Sequence, residues 1–327
     1  MSESRPKERI LPMEVADMSE VRVKIQQALT EVSKVVVGYQ DVLQKIFIAV
    51  LCDAHVLLEG MPGLAKTVTA KTFAQVLGCT FKRIQFTPDL LPGDITGSSV
   101  YDQKTASFVF REGPLFANIV LADEINRAAP KTQSALLEAM GEHQVTVEGK
   151  TYKLPPPFCV IATQNPIEQE GTYPLPEAQL DRFYFKVIMD YPMSDDEVEI
   201  MARQVKGVQQ NLAPVLSQEM IVALQKKMDL VWIDSRILRY IRDITTKTRD
   251  DAQIAVGAGP RASLVLMKAS KARAAILGRN YVIPDDVKEI AFCALNHRIA
   301  LKPEAELEGV KREALIKRLL EEIPVPI

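Results

Sequence analysis

The sequence is poor in the residues that build metal sites and disulfide frameworks. Its 327 residues include four cysteines and three histidines, and no two cysteines form a C-x-x-C pair. The cysteines lie apart in apolar surroundings, which is typical of reduced core residues in a cytosolic protein. An isolated histidine is more often structural than a metal ligand, so we assign no role to these three.

An excess of charge of either sign is also absent. The chain carries 42 acidic and 40 basic residues, a formal net charge of −2, so nothing global favours a nucleic-acid or membrane partner. The first residues are polar and lack the apolar centre of a signal peptide. The apolar run at residues 46–52 is too short to span a bilayer. We therefore expect a cytoplasmic protein without membrane insertion, and the length favours two domains.

One segment joins a strand-like apolar run to a helical pattern through a glycine-rich turn. It reads Gly60, Met61, Pro62, Gly63, Leu64, Ala65, Lys66, Thr67 and Val68. This context is that of a phosphate-binding loop, because turn amides and the helix dipole favour an anion there. Lys66 would reach the β- and γ-phosphates of a nucleotide, and Thr67 would bind Mg²⁺. Ala65 replaces a glycine of the usual pattern, and we expect alanine to hold the required dihedral angles. The alternative is an ordinary turn.

Two adjacent carboxylates follow a second apolar strand-like run. Asp123 and Glu124 come after residues 119–122, and ligands of open α/β sheets bind where strands end. Asp123 would hold Mg²⁺ through a water molecule, and Glu124 could polarise the attacking water. Taken alone, a helix-capping acid explains the pair equally well. Its position about sixty residues after Lys66 favours the functional interpretation.

Two further polar residues are candidates for contact with a γ-phosphate. Asn165 follows a strand-like run at residues 158–163 and could sense the phosphate or orient water, although an Asn-Pro turn would look the same. Arg182 lies near the end of a short predicted helix and could act as an arginine finger. The alternative for Arg182 is a surface salt bridge with Asp181 or Glu177.

Strand-like patterns end near residue 192, and helical patterns follow. We predict helices at about 217–229, 234–252, 260–278, 284–298 and 304–321. Before residue 192, alternating patterns predict two β-hairpins, near residues 98–110 and 144–154. An amino-terminal helix is predicted at about 14–34, after a loose tail.

Five motifs in this order resemble the AAA+ ATPases, and within them the MoxR group. The motifs lie at residues 60–67, 121–128, 162–166, 175–183 and 259–262. Alanine before the phosphate-loop lysine is usual in MoxR-like chains, so Ala65 fits this group. Val37 and Gly38 resemble the adenine-side segment of AAA+ ATPases, although, taken alone, a helix-ending glycine is the better explanation of the pair.

The resemblance implies a fold, a ligand set and an assembly. The implied fold is an N-terminal tail and helix (1–36), an αβα ATPase core with a five-stranded parallel sheet and β-hairpin inserts (37–192), and an all-α lid (193–327). ATP and Mg²⁺ would bind at the junction of core and lid. The chains would form rings, expected to be hexamers, in which a neighbour completes each site.

The resemblance also implies roles for three residues. By position Asn165 is similar to sensor 1, Arg182 to the arginine finger given to the adjacent subunit, and Arg261 to sensor 2. Through Arg261, the position of the lid would change with the nucleotide state. These residues and Lys66 would then act with Glu124 in hydrolysis.

The MoxR group is associated with chaperone-like maturation of other proteins, often with partners that carry a von Willebrand factor A domain. The two hairpins resemble inserts that touch a substrate. Three alternatives stay open: an ATP-gated switch with little turnover, a small-molecule kinase, and a nucleic-acid motor. Glu124 argues against a pure switch, and the few basic residues on the hairpins make nucleic acid an unlikely partner.

Overall fold

The computed structural model describes residues 17–166, 171–206 and 211–326, so the predicted tail at 1–13 lies outside the described residues. The strands, in chain order, are β1 (Val56–Gly60), β2 (Phe81–Gln85), β3 (Gly97–Asp102), β4 (Ser107–Glu112), β5 (Ile119–Asp123), β6 (Gln144–Val147), β7 (Lys150–Lys153), β8 (Cys159–Gln164), β9 (Phe185–Met189), β10 (Ile254–Val256) and β11 (Ala300–Leu301).

Helices occupy much of the remaining described chain. In chain order they are α1 (Ser19–Ser33), α2 (Gln40–Leu51), α3 (Lys66–Val76), α4 (Pro92–Thr96), α5 (Pro130–Glu142), α6 (Glu177–Leu180), α7 (Ser194–Lys206), α8 (Gln218–Lys227), α9 (Ser235–Asp250), α10 (Pro260–Ile276), α11 (Pro284–Leu295), α12 (Pro303–Leu307) and α13 (Arg312–Glu322).

Five strands form one parallel sheet in the order β2-β5-β8-β1-β9. The apolar runs in β1, β5 and β8 are buried along almost their whole length, because helices cover both faces of the sheet. The predicted five-stranded parallel αβα core is confirmed, and the bounds of β5 and β8 differ from the predicted runs by one residue at most at each end.

The parallel strands give the sheet two distinct edges. We call the edge where the strands end, at Gly60, Asp123 and Gln164, the carboxyl edge. The edge where they begin, at Val56 and Phe185, is the amino edge. A five-residue strand places its first and last Cα atoms about 13 Å apart. The two edges are therefore separate places for chemistry.

Two antiparallel hairpins project from the core at the predicted positions. They are formed by β3 with β4 and by β6 with β7. Phe110 of the first stacks on Tyr152 of the second, with ring centroids 3.9 Å apart. This contact ties the two inserts together.

The carboxyl-terminal part is helical, as predicted, with two local differences. A short antiparallel ribbon joins β10 to β11, although we expected no strands after residue 192. The single helix predicted at 304–321 is wrong, because α12 and α13 are separate. Gly309 lies between them with φ +75°, a left-handed conformation that ends a helix.

The amino-terminal helix belongs to the same packed body. Apolar residues of α1 are buried in one hydrophobic cluster with residues of α2, α3 and the lid helix α10. Within the described residues, none of the helices has the length and apolar character needed to cross a membrane.

Candidate active site

The phosphate loop follows β1 at the carboxyl edge and leads directly into α3. Gly60 must be small, because a Cβ there would lie 2.6 Å from the carbonyl oxygen of Met189 on the neighbouring strand. Ala65, the residue before α3, has φ 54° and ψ 20°. Alanine does hold the required dihedral angles, as predicted, but they lie in the left-handed region that favours glycine.

The functional side chains of the loop stay close to the sheet in this conformation. The Lys66 ammonium donates a hydrogen bond to the carbonyl oxygen of Gly60 at 2.6 Å. The Thr67 hydroxyl lies 3.5 Å from Oδ2 of Asp123. The first residues of α3 therefore present an amide-rich helix end, a lysine and a hydroxyl at one spot, which suits a phosphate group.

Asp123 is buried at the end of β5, and three side chains contact its carboxylate. Thr163 donates its hydroxyl to Oδ1 at 2.6 Å. Arg83 of β2 donates from both Nε and Nη2 to Oδ2, at 3.0 and 2.7 Å. The Thr67 hydroxyl and the Asp123 carboxylate are oxygen ligands of the kind that Mg²⁺ prefers. Thr67 and Asp123 therefore fit the predicted metal role.

Glu124 adopts a left-handed conformation, φ 56° and ψ 51°, immediately after β5. Its backbone N–H donates to the Thr163 hydroxyl at 2.9 Å. Its carboxylate accepts a hydrogen bond from the Gln85 amide at 2.7 Å and pairs with Arg127 at 3.1 Å. Strain of this kind in a non-glycine residue is often found at functional sites. The turn places Glu124 at the carboxyl edge with its carboxylate held by two donors.

The residues that hold these two carboxylates were not predicted from the sequence: Arg83, Gln85, Arg127 and Thr163. A signal for two of them was present. Arg83 and Gln85 are polar residues two apart in β2, and residues with this spacing in a strand point to the same face. The contact itself depends on β2 and β5 being neighbours, which the sequence did not show.

Two other predicted segments also reach the carboxyl edge. Asn165 is buried and directly follows β8, which pairs with β1. Val37 and Gly38 precede Tyr39, whose hydroxyl donates to the carbonyl oxygen of Asp190 at 3.2 Å. Asp190 follows the end of β9. The structure therefore brings the sensor candidate and the adenine-side candidate to the same edge as the phosphate loop.

Arg182 lies at the amino edge instead, just before β9. It is half-buried, and its guanidinium donates to the carbonyl oxygen of Leu137 at 2.7 Å. Leu137 lies in the second half of α5, which runs from the carboxyl edge back to the amino edge. The alternative of a salt bridge between Arg182 and Asp181 is not formed, since the Asp181 carboxylate binds Arg298 and Arg261.

Arg261, in the first turn of α10, is also at the amino edge. Its Nε lies 3.6 Å from Oδ2 of Asp181. Burial lowers the pKa of His55, the residue before β1, to about 4, and the positive charge of Arg261 adds a smaller contribution. In this conformation Arg261 pairs with Asp181 at the amino edge, at the opposite end of the strands from the phosphate loop of its own chain.

Fold and site together define a P-loop nucleotide-binding protein with a helical lid, and comparisons with known proteins agree. The model of the ATPase family associated with various cellular activities (AAA) matches residues 55–185, and the AAA lid domain model matches residues 246–319. A crystal structure from Cytophaga hutchinsonii, assigned provisionally as an ATPase, has a TM-score of 0.88 and 41% identity, and the match covers 95% of this chain and 97% of that one.

Curated relatives indicate which group within this family the chain resembles. The uncharacterized protein YeaC of Bacillus subtilis is 48% identical over 302 residues, 92% of this chain and 94% of the relative. Chaperone MoxR1 of Mycobacterium tuberculosis is 43% identical over 312 residues, 92% of this chain and 82% of the relative. Protein MoxR of Paracoccus denitrificans is 27% identical over 342 residues. The chain belongs to the MoxR group of AAA+ ATPases.

Proposed function

We propose that this ATPase works as a ring, a hexamer by analogy with its family, and uses Mg²⁺-dependent ATP hydrolysis to remodel protein clients. One observation carries the proposal. The nucleotide-binding groups lie at the carboxyl edge of the sheet, whereas Arg182 and Arg261 lie at the amino edge. One chain therefore holds both halves of an AAA+ site but does not bring them together, and a neighbour supplies the missing half.

Within one site, each residue has a defined task. The amides of residues 60–68 and the Lys66 ammonium bind the phosphates, and Thr67 and Asp123 hold Mg²⁺, which supplies positive charge at the phosphate oxygens when bound. Glu124 accepts a proton from the attacking water, and Asn165 orients that water. Arg182 and Arg261 of the adjacent subunit stabilise the charge on the transferred phosphoryl group.

The contacts at the carboxyl edge explain why an isolated chain would be nearly inactive. The Glu124 carboxylate must leave Gln85 and Arg127 before it can accept a proton from water. Lys66 must leave the Gly60 carbonyl to reach a phosphate. Both changes break hydrogen bonds within the chain, so each side chain needs a new contact in their place. The nucleotide and a neighbour's arginines would supply these new contacts.

The client is a protein on this proposal, because a relative is named as a chaperone. The work done would be maturation of protein complexes, with a von Willebrand factor A domain protein as a partner. Residues 37–192 would bind and hydrolyse ATP, and residues 193–327 would transmit its state. We place the activity in the cytoplasm, where the four cysteines, all free here, would remain reduced.

The ATPase rate per subunit, measured against protein concentration, tests the proposal. A ring predicts that the rate per subunit rises with concentration, requires Mg²⁺ and is lost in Glu124→Gln by about 10²–10⁴-fold. ATP should still bind to Glu124→Gln. A rate per subunit that is independent of concentration would contradict the shared site. Negligible turnover at every concentration, with normal ATP binding, would favour the ATP-gated switch.

A further inference from the structure

One carboxylate at the amino edge faces two arginines, and the mechanism above gives it no task. Asp181 directly precedes Arg182. Its Oδ1 accepts a hydrogen bond from Nε of Arg298 at 2.7 Å, and its Oδ2 lies 3.6 Å from Nε of Arg261. Arg261 lies in the first turn of α10, and Arg298 follows α11. Asp181 is therefore a core residue bound at the same time by two residues of the lid.

Arg298 ties the backbone around Arg182 to the lid. Its side chain is only 2% exposed. Its guanidinium donates to the carbonyl oxygens of Phe183 at 2.6 Å, Tyr184 at 3.0 Å and Asp181 at 3.2 Å. These carbonyls lie on both sides of Arg182, so the segment that carries Arg182 cannot move without moving Arg298.

The charges in this cluster depend on Asp181. Burial lowers the pKa of Arg298, and the Asp181 carboxylate opposes that effect. A buried guanidinium without a counter-ion is strongly unfavourable, so Arg298 requires a carboxylate at this position. The Arg261 side chain is 54% exposed and has Asp181 as its ion-pair partner. Asp181 thus neutralises a buried arginine and orients a partly exposed one.

We propose that Asp181 is a positioning residue that presents Arg182 and Arg261 as a pair to a neighbouring copy of the chain. It holds Arg261 directly, and through Arg298 it couples the Arg182 segment to the lid. Movement of the lid would then move both arginines together. The inference rests on the proposed function, because it requires that both arginines act on a neighbour's nucleotide.

A mixture of two inactive variants separates the two sides of the shared site. The donor chain carries Glu124→Gln, which keeps its arginines but cannot hydrolyse ATP. The acceptor chain carries Arg182→Ala, which keeps its own nucleotide groups. Each alone should be inactive, and the mixture should hydrolyse ATP. Asp181→Asn is then added to the donor or to the acceptor, and kcat of the mixture is measured.

We expect an asymmetric result. In the donor, Asp181→Asn should lower kcat about 10- to 100-fold, because misplacement of a catalytic group by about 1 Å costs up to about 10²-fold. In the acceptor the same substitution should change kcat less than about twofold, since the arginines of that chain are not used. Asp181→Glu in the donor, which keeps the charge, should restore part of the rate.

Each other outcome counts against the inference. Equal losses from donor and acceptor would show a general role in folding or assembly, and an unchanged rate with the donor variant would show that Asp181 positions nothing. If the parent mixture itself fails to hydrolyse ATP, the shared site fails and this inference fails with it. Recovery in the parent mixture therefore distinguishes the two proposals.

Discussion

The two edges of the sheet differ in charge and in how their groups are held. At the carboxyl edge, Asp123 and Glu124 form ion pairs with Arg83 and Arg127, whose side chains are 47% and 39% exposed. At the amino edge, Arg298 is buried and donates hydrogen bonds to the carbonyl oxygens of Asp181, Phe183 and Tyr184. On the proposed function, the exposed ion pairs at the first edge exchange partners when nucleotide binds, whereas buried Arg298 keeps its contacts at the second edge.

This difference has a consequence for assembly. On the proposed function, the arginines at the amino edge and the nucleotide-binding groups at the carboxyl edge meet between two copies, because the length of a strand separates them within one chain. The carboxyl edge would then depend on its own chain for binding and on a neighbour for catalysis. Substitutions at each edge test this division of tasks and the way each edge is held.

Arg182→Ala should have the largest effect. An arginine finger supplied by a neighbour contributes about 10³–10⁵ to kcat, so turnover should fall by that order while ATP affinity stays unchanged. Steady-state hydrolysis and fluorescent-nucleotide binding measure the two quantities. The matched control is Arg239→Ala, an exposed arginine of α9, which should keep wild-type turnover. Wild-type turnover in Arg182→Ala would show that Arg182 does not act as an arginine finger.

The carboxyl edge was easier to predict from sequence than the amino edge. The phosphate loop is one continuous segment, and Asp123, Glu124 and Asn165 each follow an apolar run, so local patterns suffice to place them. Their immediate partners were not predicted, because Gln85 and Glu124 are 39 positions apart and meet only through strand order. Short-range patterns carry no information on which strands are neighbours.

The amino edge depends on longer separations. Asp181 and Arg298 are 117 positions apart, and no sequence motif predicts that their side chains are in contact. The resemblance suggested Arg182 as an arginine finger and Arg261 as sensor 2, but only the structure shows both at the edge away from their own phosphate loop. The ribbon of β10 and β11 was missed for a related reason. Its strands have three and two residues, too few to show alternation.

Arg298→Met tests whether the amino edge is fixed by its buried arginine. Methionine keeps much of the apolar volume but removes every hydrogen bond to the carbonyls and to Asp181. Removal of one partner of a buried ion pair costs about 3 kcal/mol or more, so the free energy of unfolding should fall by about that amount. Chemical denaturation measures it. Arg239→Met is the control, and an equal, small change in both variants would show that Arg298 fixes nothing.

His55 gives the amino edge a dependence on pH. Its Nδ1 accepts from the N–H of Val160 at 3.0 Å, and its Nε2 donates to the carbonyl oxygen of Met140 at 2.9 Å, so the neutral ring is required. With the folded pKa at about 4 and an unfolded pKa of about 6.5, the unfolded state binds more protons between these values. Stability should therefore fall as the pH falls through this window.

Between pH 7 and pH 5, His55 should lower the free energy of unfolding by about 2 kcal/mol, at about 1.4 kcal/mol per pKa unit. The measurement is the free energy of unfolding at both pH values in the wild type and in His55→Gln, which cannot be protonated. The variant should lose about 2 kcal/mol less than the wild type. Buried His297, whose pKa is also lowered mainly by burial, keeps its own contribution in both proteins. Equal losses would show that His55 is not the group that titrates.

Ala65→Gly should have the smallest effect on stability, and the sign of that effect tests whether the backbone of the phosphate loop at the carboxyl edge is strained. The left-handed conformation of Ala65 costs about 1–2 kcal/mol for a residue with a Cβ, and glycine relieves that cost. Glycine also raises the entropy of the unfolded chain, which opposes the gain by about 0.4–1 kcal/mol. The balance predicts stabilisation of about 0.5 kcal/mol, measurable by chemical denaturation. Ala74→Gly, inside α3, should instead destabilise by about 1 kcal/mol or more. If both variants destabilise the protein equally, the backbone at Ala65 is not strained. A change of contacts at the carboxyl edge would then release no backbone strain.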